Sequence, residues 1–201
     1  SASGTLIISV LLAAIFGWRQ MWTAPLLGLF LTIILPALAI MFAGNSIDSK
    51  TGLSTSSYVS RGKINRAFIK QILIQAIVPG IAAFCGFFFM NPTGTAELYG
   101  FARTFAFIII TVAFCVNALI NLTGSKAVFK AFSPENSRIF LVVFAVLALM
   151  LCIIYIPAVN TIFGLIPISV SALFAALITG ILSTIWWEIT KFFRKKVDSL
   201  K

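Results

Sequence analysis

Six apolar runs, separated by polar or turn-forming segments, organise the chain: residues 5–18, 23–44, 64–90, 97–122, 138–156 and 165–190. Crossing the hydrocarbon core of a bilayer takes roughly 20 apolar residues in a helix. With no water to satisfy the backbone, a helix is one of two ways to cross. The runs therefore predict an all-α fold, a polytopic transmembrane bundle of about six helices. The first run is short for a span. It follows Ser1-Ala2-Ser3-Gly4, with no initiator Met and no basic signal-peptide segment, and reads as a helix whose beginning is cut away.

Punctuation between the runs supports the division. Residues 17–22, with Trp18, Arg19 and Trp22, read as a tight interfacial connection. Residues 45–63 form the longest polar segment, and Asn91-Pro92-Thr93-Gly94-Thr95 is a turn. Ser133-Pro134-Glu135 reads as a helix start: Ser133 as cap, Pro134 in the first turn, and Glu135 at the positive end of the dipole. Pro157 ends the fifth run.

Charge then orients the bundle. The second connection and the helix start after it hold Lys50, Arg61, Lys63, Arg66 and Lys70. The fourth holds Lys126, Lys130 and Arg138, and the tail holds Lys191, Arg194, Lys195, Lys196 and Lys201. Only Arg19 and Arg103 fall on the other side, so thirteen of the 15 basic residues share one face of the membrane. The positive-inside rule makes that face, and the C-terminus, cytoplasmic.

Composition narrows the function classes. Of the 201 residues, 60% are hydrophobic and 10% charged, and the mean hydropathy is +1.08. The bilayer is thus the expected solvent, and the spans leave no room for a soluble catalytic domain. The net charge of +10 is explained by topology, and no nucleic-acid partner is expected. Cys85, Cys115 and Cys152 all lie within apolar runs, without a CxxC pair or any histidine, which argues against a zinc or iron–sulfur centre. A membrane-bound enzyme lacks a nucleophile constellation and an intramembrane carboxylate pair.

Several polar residues inside the runs are candidates for an ion path. Pro36 cannot donate a hydrogen bond and frees a carbonyl one turn earlier, near Thr32. Thr32 and Pro36 either present a hydroxyl and unpaired carbonyls to a cation or form a kink with a back-bonded threonine. Asn117 and Asn121 share one helix face at i and i+4, and either line a polar path or bond to neighbouring helices. Thr111 lies toward the other end of the same span. Gln75 is read as structural. Arg103 is expected to snorkel to the outer interface, with a role as an internal counter-charge as the alternative. Glu188 is placed to pair with a basic neighbour at the cytoplasmic end.

Four stretches carry a family resemblance. Ala102-Arg103-Thr104-Phe105-Ala106-Phe107 followed by Asn117-Ala118-Leu119 resembles the eighth transmembrane helix of cation-transporting P-type ATPases. Leu35-Pro36-Ala37 resembles their sixth helix, and Trp187-Glu188-Ile189-Thr190-Lys191-Phe192-Phe193-Arg194 resembles their C-terminal ending. The order implies helices five to ten of a bacterial pump in the plasma membrane. The family couples ATP hydrolysis, through an aspartyl-phosphate, to cation movement. ATP and Mg2+ are thus implied for the whole protein but not bound by this segment, which by itself is not an enzyme. Implied partners are the lipid bilayer, a metal cation, and the pump's N-terminal helices and cytoplasmic domains. The phosphorylated D-K-T-G loop, nucleotide-binding domain and actuator domain lie outside this sequence.

The resemblance breaks down at the ion ligands. Where calcium and sodium/potassium pumps carry an Asn and an Asp upstream of L-P-A, alignment places Leu29 and Ile33. The carboxylate that some relatives carry before N-A-L is also missing across residues 113–116. The Thr32-Ile33…Pro36 pattern resembles a bacterial branch that lacks the Asp. The identity of any metal is left unknown. The competing reading is a non-enzymatic membrane module, either a small permease or a partner subunit.

Overall fold

The computed structural model describes residues 2–15, 21–45, 66–91, 96–122 and 137–198. The helices are α1 (Ala2–Ile15), α2 (Ala24–Leu29), α3 (Leu35–Asn45), α4 (Arg66–Met90), α5 (Ala96–Leu122), α6 (Ser137–Tyr155), α7 (Pro157–Phe163) and α8 (Val170–Asp198). A π-helical turn, Phe30–Ile34, joins α2 to α3. No strand occurs among the described residues. The expectations for residues 17–20 and for most of the loops, including the Ser133–Pro134–Glu135 start, lie outside the described residues.

Two described stretches are long and apolar enough to span a bilayer, Ile72–Met90 and Leu98–Asn121. A third is bent: Phe140–Tyr155 continues into Pro157–Phe163 through 92°. Ser3–Ile15, Ala24–Ile40 and Val170–Trp186 are apolar but shorter. The result is a helical bundle in which six apolar units can be recognised. Three of them are short and a fourth is bent.

α5 is the axis of the bundle. Its apolar window is 89% buried, against 39% for that of α4. Phe107, Ile108, Ile109, Ile110 and Ala113 on it are all fully buried. α4, α8, α6 and α3 pack around it, and α1 lies against α4. Large apolar side chains point outward on the peripheral helices, among them Ile15, Phe89, Leu141, Phe144 and Val170. This inside-out distribution suits a lipid solvent, which asks no apolar side chain to hide. Because lipid tails are as apolar as the side chains, association rests on close packing and interhelical hydrogen bonds. Gly180 shows the consequence. A Cβ there would come within 2.9 Å of the Ile109 carbonyl oxygen and of Val112 Cβ, so α8 reaches α5 only through a glycine.

The fifth run does not simply stop at Pro157. Ile156 is extended, Pro157 starts α7 where its missing N–H costs nothing, and the chain turns across the end of the bundle. Gly164 closes α7 in the left-handed region, with φ 65°. There its N–H reaches Thr161 O, and Leu165 N–H reaches Asn160 O at 2.9 Å. Residues 165–169 are not helical, so α8 begins at Val170 rather than at the start of the sixth apolar run.

Candidate ion-path residues and their surroundings

The π turn and the proline that follows it shape the first candidate pair. In the π turn Leu35 N–H bonds back to Phe30 O, five residues earlier, so one extra residue is accommodated before Pro36. Thr32 Oγ1 donates to Gly28 O at 2.7 Å, one turn back. Thr32 and Pro36 are both exposed on the outer surface of the bundle. Phe30, by contrast, points inward and is fully buried. Its ring stands edge-on to Trp22, Phe107 and Phe114 at centroid distances of 5.8, 5.5 and 5.6 Å. These contacts hold the irregular turn against α5 and so fix which side of it faces outward.

The second candidate group lies where α5 meets α4. Asn117 is 5% exposed, and its Nδ2 donates to the backbone carbonyl of Gln75 at 3.3 Å. That carbonyl is available because the residue four positions on is Pro79, which has no N–H to close the helical bond. The Gln75 and Asn121 side chains exchange a reciprocal amide pair: Gln75 Nε2 donates to Asn121 Oδ1 at 3.2 Å, and Asn121 Nδ2 donates to Gln75 Oε1 at 3.3 Å. Asn117 Oδ1 is buried and has no hydrogen-bond partner. Thr111 is buried and donates to Phe107 O at 2.8 Å within its own helix. Gln75 thus brings both asparagines together, while Thr32 and Pro36 stand apart from them on the bundle exterior.

Arg103 does not reach for the interface. It is 7% exposed, and its Nη1 donates to Gly164 O, at the bend that follows α7. Next to it, Thr104 Oγ1 lies 2.9 Å from Ile166 O and from Gly100 O and accepts from Ile166 N–H at 3.0 Å. Thr23 Oγ1 donates to Phe163 O at 3.0 Å. In place of snorkelling, the guanidinium is buried where the crossing segment brings the Gly164 carbonyl to it. The same segment is tied down by Asn160 Nδ2 to Ile154 O and by Tyr155 Oη to Ile168 O, both at 3.1 Å.

Groups that could hold a transition metal are absent among the described residues: no cluster of three or more His, Cys, Asp or Glu occurs. A groove between α3 and α6, lined by Ile33, Ala37, Ile40, Leu141, Val146 and Leu149, is apolar and offers an ion nothing. Apart from the Arg103 guanidinium, the buried polar groups among the described residues are amides, hydroxyls and backbone groups.

Comparison with protein families returns one match, over residues 30–193, to the family described as Cation transporting ATPase, C-terminus. It runs from the π turn to Phe193, within the Trp187–Arg194 stretch. No curated protein matches the chain significantly.

Proposed function

Since the chain belongs to the family of cation-transporting ATPase C-terminal regions, we propose that it is the transport and support half of the membrane domain of an ATP-driven pump. The observation that carries the reading is the length of the family match, which takes in the described helices after α2 as far as residue 193 of α8. In this reading ATP, Mg2+ and the aspartyl-phosphate belong to other domains of the same protein, and the bundle receives the conformational work. The basic loops and the C-terminus face the cytoplasm of a bacterial cell.

The ion path in this reading uses the places where helices give up backbone hydrogen bonds. The π turn with Pro36 is one, and it displays Thr32 on an outward face that the pump's preceding helices would cover. α5 supplies Thr111, Asn117 and Asn121 as polar positions within the otherwise apolar stretch that follows Thr104. Transporters commonly place broken helices and freed carbonyls where they line a path, because irregular backbone is tolerated in a membrane only when protein or a cavity covers it.

Cation-stimulated phosphorylation of the whole pump tests these residues. Thr32→Val and Asn117→Leu are each expected to raise the cation concentration needed for half-maximal phosphorylation. Unchanged cation dependence in both variants removes these residues from the ion path.

A further inference from the structure

The starts of α2 and α5 meet at the end of α7, and carbonyls there are taken by side chains from both. α7 ends at Phe163 and residues 165–169 are not helical, so backbone carbonyls in this elbow lack a helical donor. Arg103 Nη1 donates to Gly164 O. Thr104 Oγ1 lies 2.9 Å from Ile166 O and accepts from Ile166 N–H at 3.0 Å. Thr23 Oγ1 donates to Phe163 O at 3.0 Å. Gly164 is wedged between the two sides: a Cβ there would strike the Arg103 guanidinium and lie 3.5 Å from Thr23 Cγ2.

Thr23 stands at the cap position of α2 with extended backbone, φ −88° and ψ 152°, yet its hydroxyl makes no cap bond. A threonine there ordinarily accepts from an N–H in the first turn of its own helix. Here the hydroxyl serves the elbow instead, so the stability of α2 alone does not explain it. The elbow is also fastened unevenly. α5 grips it with a guanidinium and a hydroxyl, both buried, and a charge-assisted bond is about twice as strong as a neutral one. α2 is held by the neutral hydroxyl of Thr23, which is only half-buried, where water can replace the bond. Trp22, next to Thr23, donates through Nε1 to Ser9 Oγ at 3.1 Å and ties this end of α2 to α1. At the other end of α2, Phe30 is seated against Phe107 and Phe114 of α5 at the π turn. The six residues of α2 thus form a lever of about 9 Å, seated at the π turn and held at its far end by Thr23.

We propose that the Thr23–Phe163 contact is a latch. The elbow, anchored on α5 by Arg103 and Thr104, holds the far end of α2, and this contact is the one that opens when α2 pivots at the π turn. Thr23 is then a positioning residue for the π turn, and the α5 side of the elbow stays closed when the α2 side lets go. In the pump reading the π turn lies on the ion path, so the latch sets when that path is open at the α7 end of the bundle. That consequence rests on the pump reading. The latch itself rests on the contacts of Thr23, Arg103 and Thr104 with residues 163–166.

The test is the distance between pairs of nitroxide labels, read by double electron–electron resonance on the full chain in lipid nanodiscs. Cys152 is exposed and takes one label, with Cys85 and Cys115 changed to alanine. The second label goes on Ala24→Cys, at the latched end of α2, or on Leu98→Cys, near the start of α5, both at exposed positions. Thr23→Val keeps the side-chain shape and deletes the donor. It is expected to raise the fraction of α2 pairs at a longer distance about three- to tenfold, the equilibrium worth of one hydrogen bond. The α5 pair should not change. Thr23→Ser restores the hydroxyl and should return the α2 pair to the distribution of the unmodified chain. Helical circular dichroism confirms folding, and Thr23→Ala carries the test if the valine variant does not fold. An α2 distribution that is the same with and without the hydroxyl overturns the latch. So does a longer distance that Thr23→Ser fails to reverse, or one that the α5 pair shares. The measurement uses neither ATP nor a transported cation, so failure of the latch and failure of the pump reading are separable.

Discussion

Pro79 and Asn117 should be energetically coupled through a carbonyl that belongs to neither. In the intact chain the Gln75 carbonyl has lost its helical donor to Pro79 and is served by Asn117 Nδ2 at 3.3 Å. Asn117→Leu leaves this carbonyl unpaired in the bundle interior, but it also deletes the orphaned Oδ1, so the single substitution mixes a cost with a gain. Pro79→Ala restores an N–H that can close the helical bond to Gln75 O. In that background Asn117→Leu no longer strands the carbonyl. A double-mutant cycle isolates the difference. The contact is long for an amide hydrogen bond, and such bonds in membrane bundles average about 0.6 kcal/mol with a maximum near 1.7. Coupling of about 0.5–1.5 kcal/mol is therefore expected, with Asn117→Leu costing more when Pro79 is present. Unfolding of the four proteins in mixed micelles of rising SDS content, followed by helical circular dichroism, measures it. Coupling of the opposite sign, or inside the additivity scatter of about 0.3–0.5 kcal/mol, would refute the argument that Asn117 replaces the missing helical donor.

Substitutions at two glycines probe the close approaches in the bundle by the same unfolding measurement. Gly180→Ala puts a methyl group 2.9 Å from the Ile109 carbonyl and from Val112 Cβ, neither of which is a flexible chain end, so α5 and α8 must separate at a cost of about 1–3 kcal/mol. Gly164→Ala forces a side chain into the left-handed region and against the Arg103 guanidinium, and should cost about 1–3 kcal/mol. Asn at position 164 should be milder, because asparagine tolerates that backbone conformation better than other residues with a Cβ.

Much of the bundle is legible in the runs of apolar residues, because a spanning helix writes its length directly into hydropathy. Ile72–Met90 and Leu98–Asn121 fall within two of those runs. Legibility fails where the chain leaves regular helix. α7 has seven residues and lies across the bundle, so hydropathy merges it with its neighbours. Its limits are nonetheless written in Pro157 and Gly164, one unable to continue a helix and the other suited to closing one. The destination of Arg103 depends on that crossing segment and has no local signature. Among the candidate residues, a count of four back from Pro36 points to the carbonyl of Thr32. The same count back from Pro79 arrives at Gln75, which hydropathy alone marks as a stray polar residue. The side of α5 that meets it is readable from Asn117 and Asn121, but the match between the two helices is a tertiary fact. The π turn is less accessible still. An extra residue in a helix changes no composition, and only the packing of Phe30 against Trp22, Phe107 and Phe114 reveals which way it faces.

The central claim is that this bundle is the membrane half of a cation pump, and the most direct measurement is phosphoenzyme formation by the complete gene product. Membranes carrying that protein are incubated with radiolabelled ATP and Mg2+, quenched in acid and treated with hydroxylamine. The account predicts an acid-stable, hydroxylamine-sensitive phosphoprotein whose level changes with the transported cation. Absence of such an acyl phosphate across alkali and divalent cations, in protein shown to be folded and inserted, would contradict it.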